Sequence, residues 1–142
     1  MAVHYIEEDR KAAGFGRMET RKWLHEVIRL EGRIAGVINF IFCSDEYLAG
    51  INKQFLKRDY FTDVISFDYT ENDVVSGDIM ISVDRVRENA ANLGISFPEE
   101  MKRIMVHGVL HLIGYDDATD EMRSDMSSRE DLYLAGVRER DV

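Results

Sequence analysis

The sequence predicts an α+β fold: a single compact domain in which a small mixed β-sheet is covered by several helices. Three observations predict it. The chain has 142 residues, the length of one ordinary domain. Segments with helical spacing of apolar residues alternate with short runs rich in Val, Ile and Phe. No repeat, low-complexity tract or linker interrupts them, and the only proline is Pro98, so residues 1–142 read as one domain.

The elements follow in order. Trp23, Leu24, Val27, Ile28 and Leu30 recur near helical spacing between Glu19 and Glu31, and Gly32 supplies a stop. Ile34 to Cys43 reads as a largely buried strand. Ser44 can cap a helix carrying Tyr47, Leu48, Ile51 and Phe55 on one side. Lys57-Arg58 and a loop over Asp59 to Thr62 come next, then a strand over Val64 to Tyr69. Thr70 to Ser76 is an acidic turn, with Glu71 and Asp73 solvated. Asp78 to Asp84 is mostly apolar and reads as an internal strand; a helix from Asp84 to Leu93 stops at Gly94. Ser96-Phe97-Pro98-Glu99 is the clearest start signal in the chain. Ser caps, Glu three residues on can return the bond, and Pro sits where its missing N–H is harmless. That long helix runs to about Ile113 and ends at Gly114. Thr119 can cap a last helix carrying Met122, Met126, Leu132 and Tyr133. Three to five strands beside these helices complete the α+β reading.

Composition narrows the function classes. Hydrophobic residues make up 45% and charged residues 32%, which argues against disorder and against a membrane protein. The single cysteine, Cys43, allows no intrachain disulfide and suits a cytoplasmic address. The start of the chain is acidic where a signal peptide would be basic and apolar. The longest apolar run, Val37 to Cys43, is broken by Asn39 and is too short to span a bilayer. With 18 Lys plus Arg against 27 Asp plus Glu, the net charge is −9, which disfavours a protein that holds nucleic acid by its overall field. A local basic patch or a metal ion would still supply positive charge at a site.

The chemistry concentrates at the end of the long helix. His107 and His111 lie four residues apart, so both imidazoles share one face, one turn apart. Gly114 breaks the helix, and Tyr115-Asp116-Asp117 follow, so a carboxylate can fold back toward the same point. Two imidazoles, a carboxylate and an open fourth position form a catalytic zinc arrangement. The set also suits non-haem iron, manganese or nickel. The pair alone is a weak signal, and the pattern is also compatible with two partly buried helix residues bonded to backbone or to Asp117. Zinc peptidases of the His-Glu-x-x-His kind carry a base directly after the first ligand; here that position is Gly108.

His107-Gly108-Val109-Leu110-His111-Leu112-Ile113-Gly114-Tyr115-Asp116-Asp117 closely resembles the YbeY signature His-Gly-x-Leu-His-x-x-Gly-Tyr-Asp-His. A second block, Ile51-Asn52, Phe55, Asp59 and Thr62-Asp63-Val64-Ile65-Ser66-Phe67, is similar to that family's upstream pattern, and Gly77-Asp78-Ile79 with Ile81-Ser82 is a third. The resemblance to these bacterial metallo-endoribonucleases implies one zinc ion held by His107, His111 and, by its offset, Asp117, with Asp116 as the neighbouring alternative. It also implies cleavage of single-stranded rRNA at the 16S 3′ end, a role in ribosome quality control, and the ribosome or its small subunit as partner. No DNA and no membrane are expected.

Two departures stand out. Asp117 occupies the place of the family's third histidine, which lowers the formal charge of a zinc site from +2 to +1. Leu56 stands where the family has an arginine thought important for activity, and a leucine cannot hold a phosphate. Lys57 and Arg58 are the adjacent candidates for catalysis and for substrate binding. Phe61 replaces a proline in the same loop. Thr62, Asp63 and Ser66 are candidates for lining a cleft or for plain turn and strand-end roles. Met101, Met105, Met122, Met126 and Cys43 read as core, His4 and His25 as surface or packing residues. Two other functions remain open on these residues: a metal-dependent hydrolase of another substrate, and a ribosome-assembly factor whose metal is structural.

Overall fold

The computed structural model describes residues 2–57 and 62–140, with side chains described to residue 136. Nine elements follow one another: β1 (Ala2–Glu7), α1 (Arg17–Leu30), β2 (Ile34–Cys43), α2 (Asp45–Leu56), β3 (Val64–Asp68), β4 (Val74–Ser82), α3 (Val83–Leu93), α4 (Phe97–Ile113) and α5 (Asp120–Arg140). The strands form one mixed sheet in the order β1-β2-β4-β3. β1, β2 and β4 run parallel and β3 pairs antiparallel with β4. The α+β expectation therefore holds, with one strand more than the element-by-element reading found. β1 escapes that reading because it is short and because the outward-facing Ile6 breaks the apolar–polar alternation of Val3, His4 and Tyr5, of which Val3 and Tyr5 face the core.

The predicted caps form. Ser44 Oγ accepts from Tyr47 N at 3.1 Å, Ser96 Oγ from Glu99 N at 3.2 Å, and Thr119 Oγ1 from Met122 N at 3.1 Å. β4 begins at Val74, four residues before the predicted Asp78, because part of the acidic turn already pairs with β2.

The sheet has a core on each face, as strand alternation requires. Ile38, Phe40 and Phe42 of β2 and Val75, Ile79 and Ile81 of β4 pack with α1, α3, α4 and α5. Cys43, Ile65 and Met80 point the other way and pack with Leu48 of α2. Met101, Met105 and Met126 are core, as expected, whereas Met122 is 43% exposed. It lies on the outward side of the first turn of α5. His4 and His25 are exposed.

α4 is the central helix, buried along most of its length. Its approach to the sheet depends on Gly77 and Gly108. A Cβ at Gly108 would stand 2.7 Å from Ile79 Cγ2, and one at Gly77 would stand 2.5 Å from the Phe67 carbonyl oxygen and 2.7 Å from Leu112 Cδ2. Gly108 thus faces the sheet, away from solvent. A glutamate there would meet the core, which gives a steric reason why this helix carries no peptidase-type base.

Candidate metal centre

The last turns of α4 deliver both histidines to one wall of a cleft. The rings lie 4.8 Å apart between centroids at 78°. The last four carbonyls of a helix have no partner within it; here each finds one. Leu110 O accepts from Gly114 and Tyr115 N–H, and His111 O accepts from Gly114 N–H. Leu112 O accepts from Thr70 Oγ1 at 3.3 Å and Ile113 O from Arg33 Nη2 at 3.1 Å. Gly114, with φ of 123°, then turns the chain in a conformation that side chains disfavour.

That turn separates the two aspartates. Asp116 Oδ1 accepts from Asp117 N–H at 2.7 Å and so stabilises the turn itself. Asp117 Oδ2 lies 3.7 Å from His111 Nε2. Donor atoms of His107, His111 and Asp117 all fall within 4.8 Å of one another. Zinc holds nitrogen and carboxylate oxygen at about 2.0–2.2 Å, so its ligand atoms stand roughly 3.4 Å apart in a tetrahedron. Asp117, half-exposed, already stands near that spacing from His111. The donor set fits a zinc-type ion with a position left open.

Behind His107 stands a residue that sequence reasoning missed. Glu130 of α5, 6% exposed, lies 3.1 Å from His107 Nδ1. A carboxylate accepts, so Nδ1 carries the proton and Nε2 is left for the cleft. No spacing signal could have found Glu130, because it sits 23 residues away on a separate helix. Burial pushes the His107 imidazole down, but the Glu130 bond and the charges of Glu130, Asp63 and Asp117 together outweigh it, and the net shift is upward from 6.5. His111 moves the other way: burial and the neighbouring His107 hold it below 6.5.

A clasp fixes the turn from outside. Glu31, at the end of α1, accepts from Tyr115 Oη at 2.7 Å and also from Tyr133 Oη. It thereby ties the residue two before Asp117 to the helix that carries Glu130.

The cleft has a volume of about 490 Å³ and is lined in part by Asn52, Leu56, Thr62, Asp63, Ser66 and Asp68 beside the histidines and Asp117. Thr62, Asp63 and Ser66 thus do line it. Thr62 Oγ1 also lies 3.4 Å from Val64 O, a turn contact. Lys57 caps α2 in the left-handed conformation, with φ of 54°. It is exposed and, among the described residues, not part of this lining. Arg58 and Phe61 lie outside the described residues.

Comparisons with known proteins identify the family. The family model described as Endoribonuclease YbeY matches residues 5–138. The chain belongs to the YbeY family. Among curated YbeY relatives, an Endoribonuclease YbeY from Flavobacterium psychrophilum is 52% identical over 112 residues, covering 79% of this chain and 80% of the relative. One from Bacteroides thetaiotaomicron is 41% identical over 135 residues, covering 95% and 98%. The solution structure of a Thermotoga maritima protein superposes with a TM-score of 0.64 at 29% identity, covering 93% of this chain and 86% of that one. The YbeY signature of this chain therefore sits in a fold shared with a solved relative.

Proposed function

We propose that residues 1–142 form a metal-dependent endoribonuclease that cleaves single-stranded RNA, with His107, His111 and Asp117 holding one zinc ion. The observation that carries this is the convergence of those three side chains on a cleft wall in a chain matched almost end to end by the Endoribonuclease YbeY model. The substrate is the 3′ end of 16S rRNA, the partner is the ribosome or its small subunit, and the setting is cytoplasmic quality control of ribosomes. Among the described residues no helix is long and apolar enough to cross a membrane.

Held by His107, His111 and Asp117, a zinc ion would supply Lewis-acid chemistry toward a phosphodiester. The chain supplies the geometry. Glu130 holds His107 in the tautomer that presents Nε2. Asp117 adds a negative ligand, which moderates the charge of the site relative to three histidines. The sheet face and α4 close the back of the cleft. Lys57 and Arg58, next to Leu56 in the sequence, are the catalytic and substrate-binding candidates.

The test is cleavage of a single-stranded RNA with the 16S 3′-end sequence by zinc-loaded protein, beside His107→Ala. Cutting by the wild type alone supports the proposal. A 2′,3′-cyclic or 3′-phosphate product assigns attack to the 2′-hydroxyl, and a 5′-phosphate with a 3′-hydroxyl assigns it to water. Leu56 favours a second reading, an assembly factor whose metal is structural, because it puts an apolar side chain where a phosphate-holding cation would stand. Silence of the wild type, with ribosome association retained, moves that reading ahead.

A further inference from the structure

Two clefts meet at the histidine pair; both carry carboxylates, and they differ in their cations. The first is lined by Asp63, Asp68 and Asp117 and, among the described residues, by no lysine or arginine. The second, about 390 Å³, shares Asp63, His107 and Asp117 with the first and adds Arg103 and Arg123 together with Glu100 and Glu130, of which Glu130 is bonded to His107 and Glu100 stands by Arg103. A polyanion crossing the histidines finds described cationic side chains only on that second side. We infer that the second cleft is a backbone-phosphate subsite, in which Arg103 and Arg123 hold a phosphate of single-stranded RNA next to the one being cut. The inference rests on the endoribonuclease reading and adds the direction in which the strand leaves the metal.

The placement of the two arginines supports it. Arg103 lies one turn before His107 on α4, about 6 Å along the helix axis. Arg123 follows the Asp117 turn on α5, and its Nη1 donates to Asp117 O at 3.0 Å. Both are also paired with carboxylates that water already reaches. Asp131, 69% exposed, lies 3.3 Å from Arg103 Nη1, and Asp120, 98% exposed, pairs with Arg123 Nη2. Exposed pairs of this kind contribute little. A phosphate diester offers two anionic oxygens to the guanidinium fork and can replace them. The inner partner of Arg103 differs. Glu100, with a side chain 3% exposed, stands 3.6 Å from Nε on the inner side of the guanidinium, and Nη1 faces the exposed Asp131.

The experiment uses the full chain with EDTA, so that nothing is cut, and a fluorescently labelled single-stranded RNA read by anisotropy across a salt series. Arg103→Gln and Arg123→Gln are each expected to weaken binding about tenfold and to reduce the salt slope by about 0.7 per lost contact. Arg29→Gln, remote on α1 and paired with Glu26, is expected to match the wild type. The pair Asp120→Asn and Asp131→Asn is expected to tighten binding, because it removes the competing carboxylates. That arm remains informative if an arginine variant fails to fold. Wild-type binding that neither arginine variant weakens and the aspartate variants do not tighten overturns the subsite while leaving the endoribonuclease reading standing. Failure of the wild type to bind, together with failure of the zinc-loaded protein to cut, overturns both.

Discussion

His107 and His111 share one helix face, yet their surroundings make them unequal. His111 is held toward the neutral, ligating form by burial and by its neighbour. His107 is raised by Glu130, so a metal ion must displace a more tightly held proton there. Metal affinity is therefore expected to rise with pH until the raised His107 has lost its proton, above the ordinary 6.5, and to level off once both rings are neutral. Glu130→Ala removes the group that orients His107. We expect a 10- to 100-fold loss of zinc affinity, measured by competition with a chromophoric chelator, with Glu130→Gln intermediate because its amide oxygen still accepts. Unchanged affinity in both variants would remove Glu130 from the site. The histidine pair and the glycine stop were legible in the sequence. The choice between Asp116 and Asp117 was legible only through the family offset; in the fold it is Asp117 whose carboxylate lies within 4.8 Å of the histidine nitrogens, while Asp116 Oδ1 accepts the Asp117 N–H.

At the scale of elements, α4 and β4 form one unit, and two glycines permit their close approach. The two sites differ in what an added methyl would meet. At Gly108 the nearest atoms belong to the side chain of Ile79, whereas at Gly77 the nearest is a backbone oxygen. Overpacking costs about 1–3 kcal/mol, and at Gly108 about 1 kcal/mol returns through better helix propensity. Gly77→Ala is thus expected to be the more destabilising change in urea unfolding, and Gly108→Ala nearly neutral to mildly destabilising. The reverse order would mean that β4 can shift and Ile79 cannot. Helix starts were legible because Ser44, Ser96 and Thr119 are local signals that each act within one turn. β1 was not, because its strand character comes from pairing with β2 and not from its own residues.

At the scale of the molecule, the site is assembled from parts far apart in the chain. Glu31 binds tyrosines at positions 115 and 133, and Arg33 and Thr70 cap carbonyls at the end of α4. A metal ion held by His107, His111 and Asp117 would tie this assembly together, and an ion that binds only the folded form stabilises it by mass action. At a free zinc concentration 100 times the dissociation constant, that is about 2.7 kcal/mol, or on the order of 10 °C in Tm for a chain of this size. Calorimetry with and without EDTA checks it. His111→Ala should abolish the difference, and a persistent difference would place the ion elsewhere.

By itself the sequence determined the α+β class, most of the elements, the histidine pair and the family, because these rest on local spacing and on motifs contiguous in the chain. Tertiary structure alone decided that Glu130 backs His107, that Gly108 must be small and that Arg103 and Arg123 share a cleft with His107 and Asp117. These depend on which helix packs beside which, and burial and hydrogen bonding across α1, α4, α5 and the sheet set that packing.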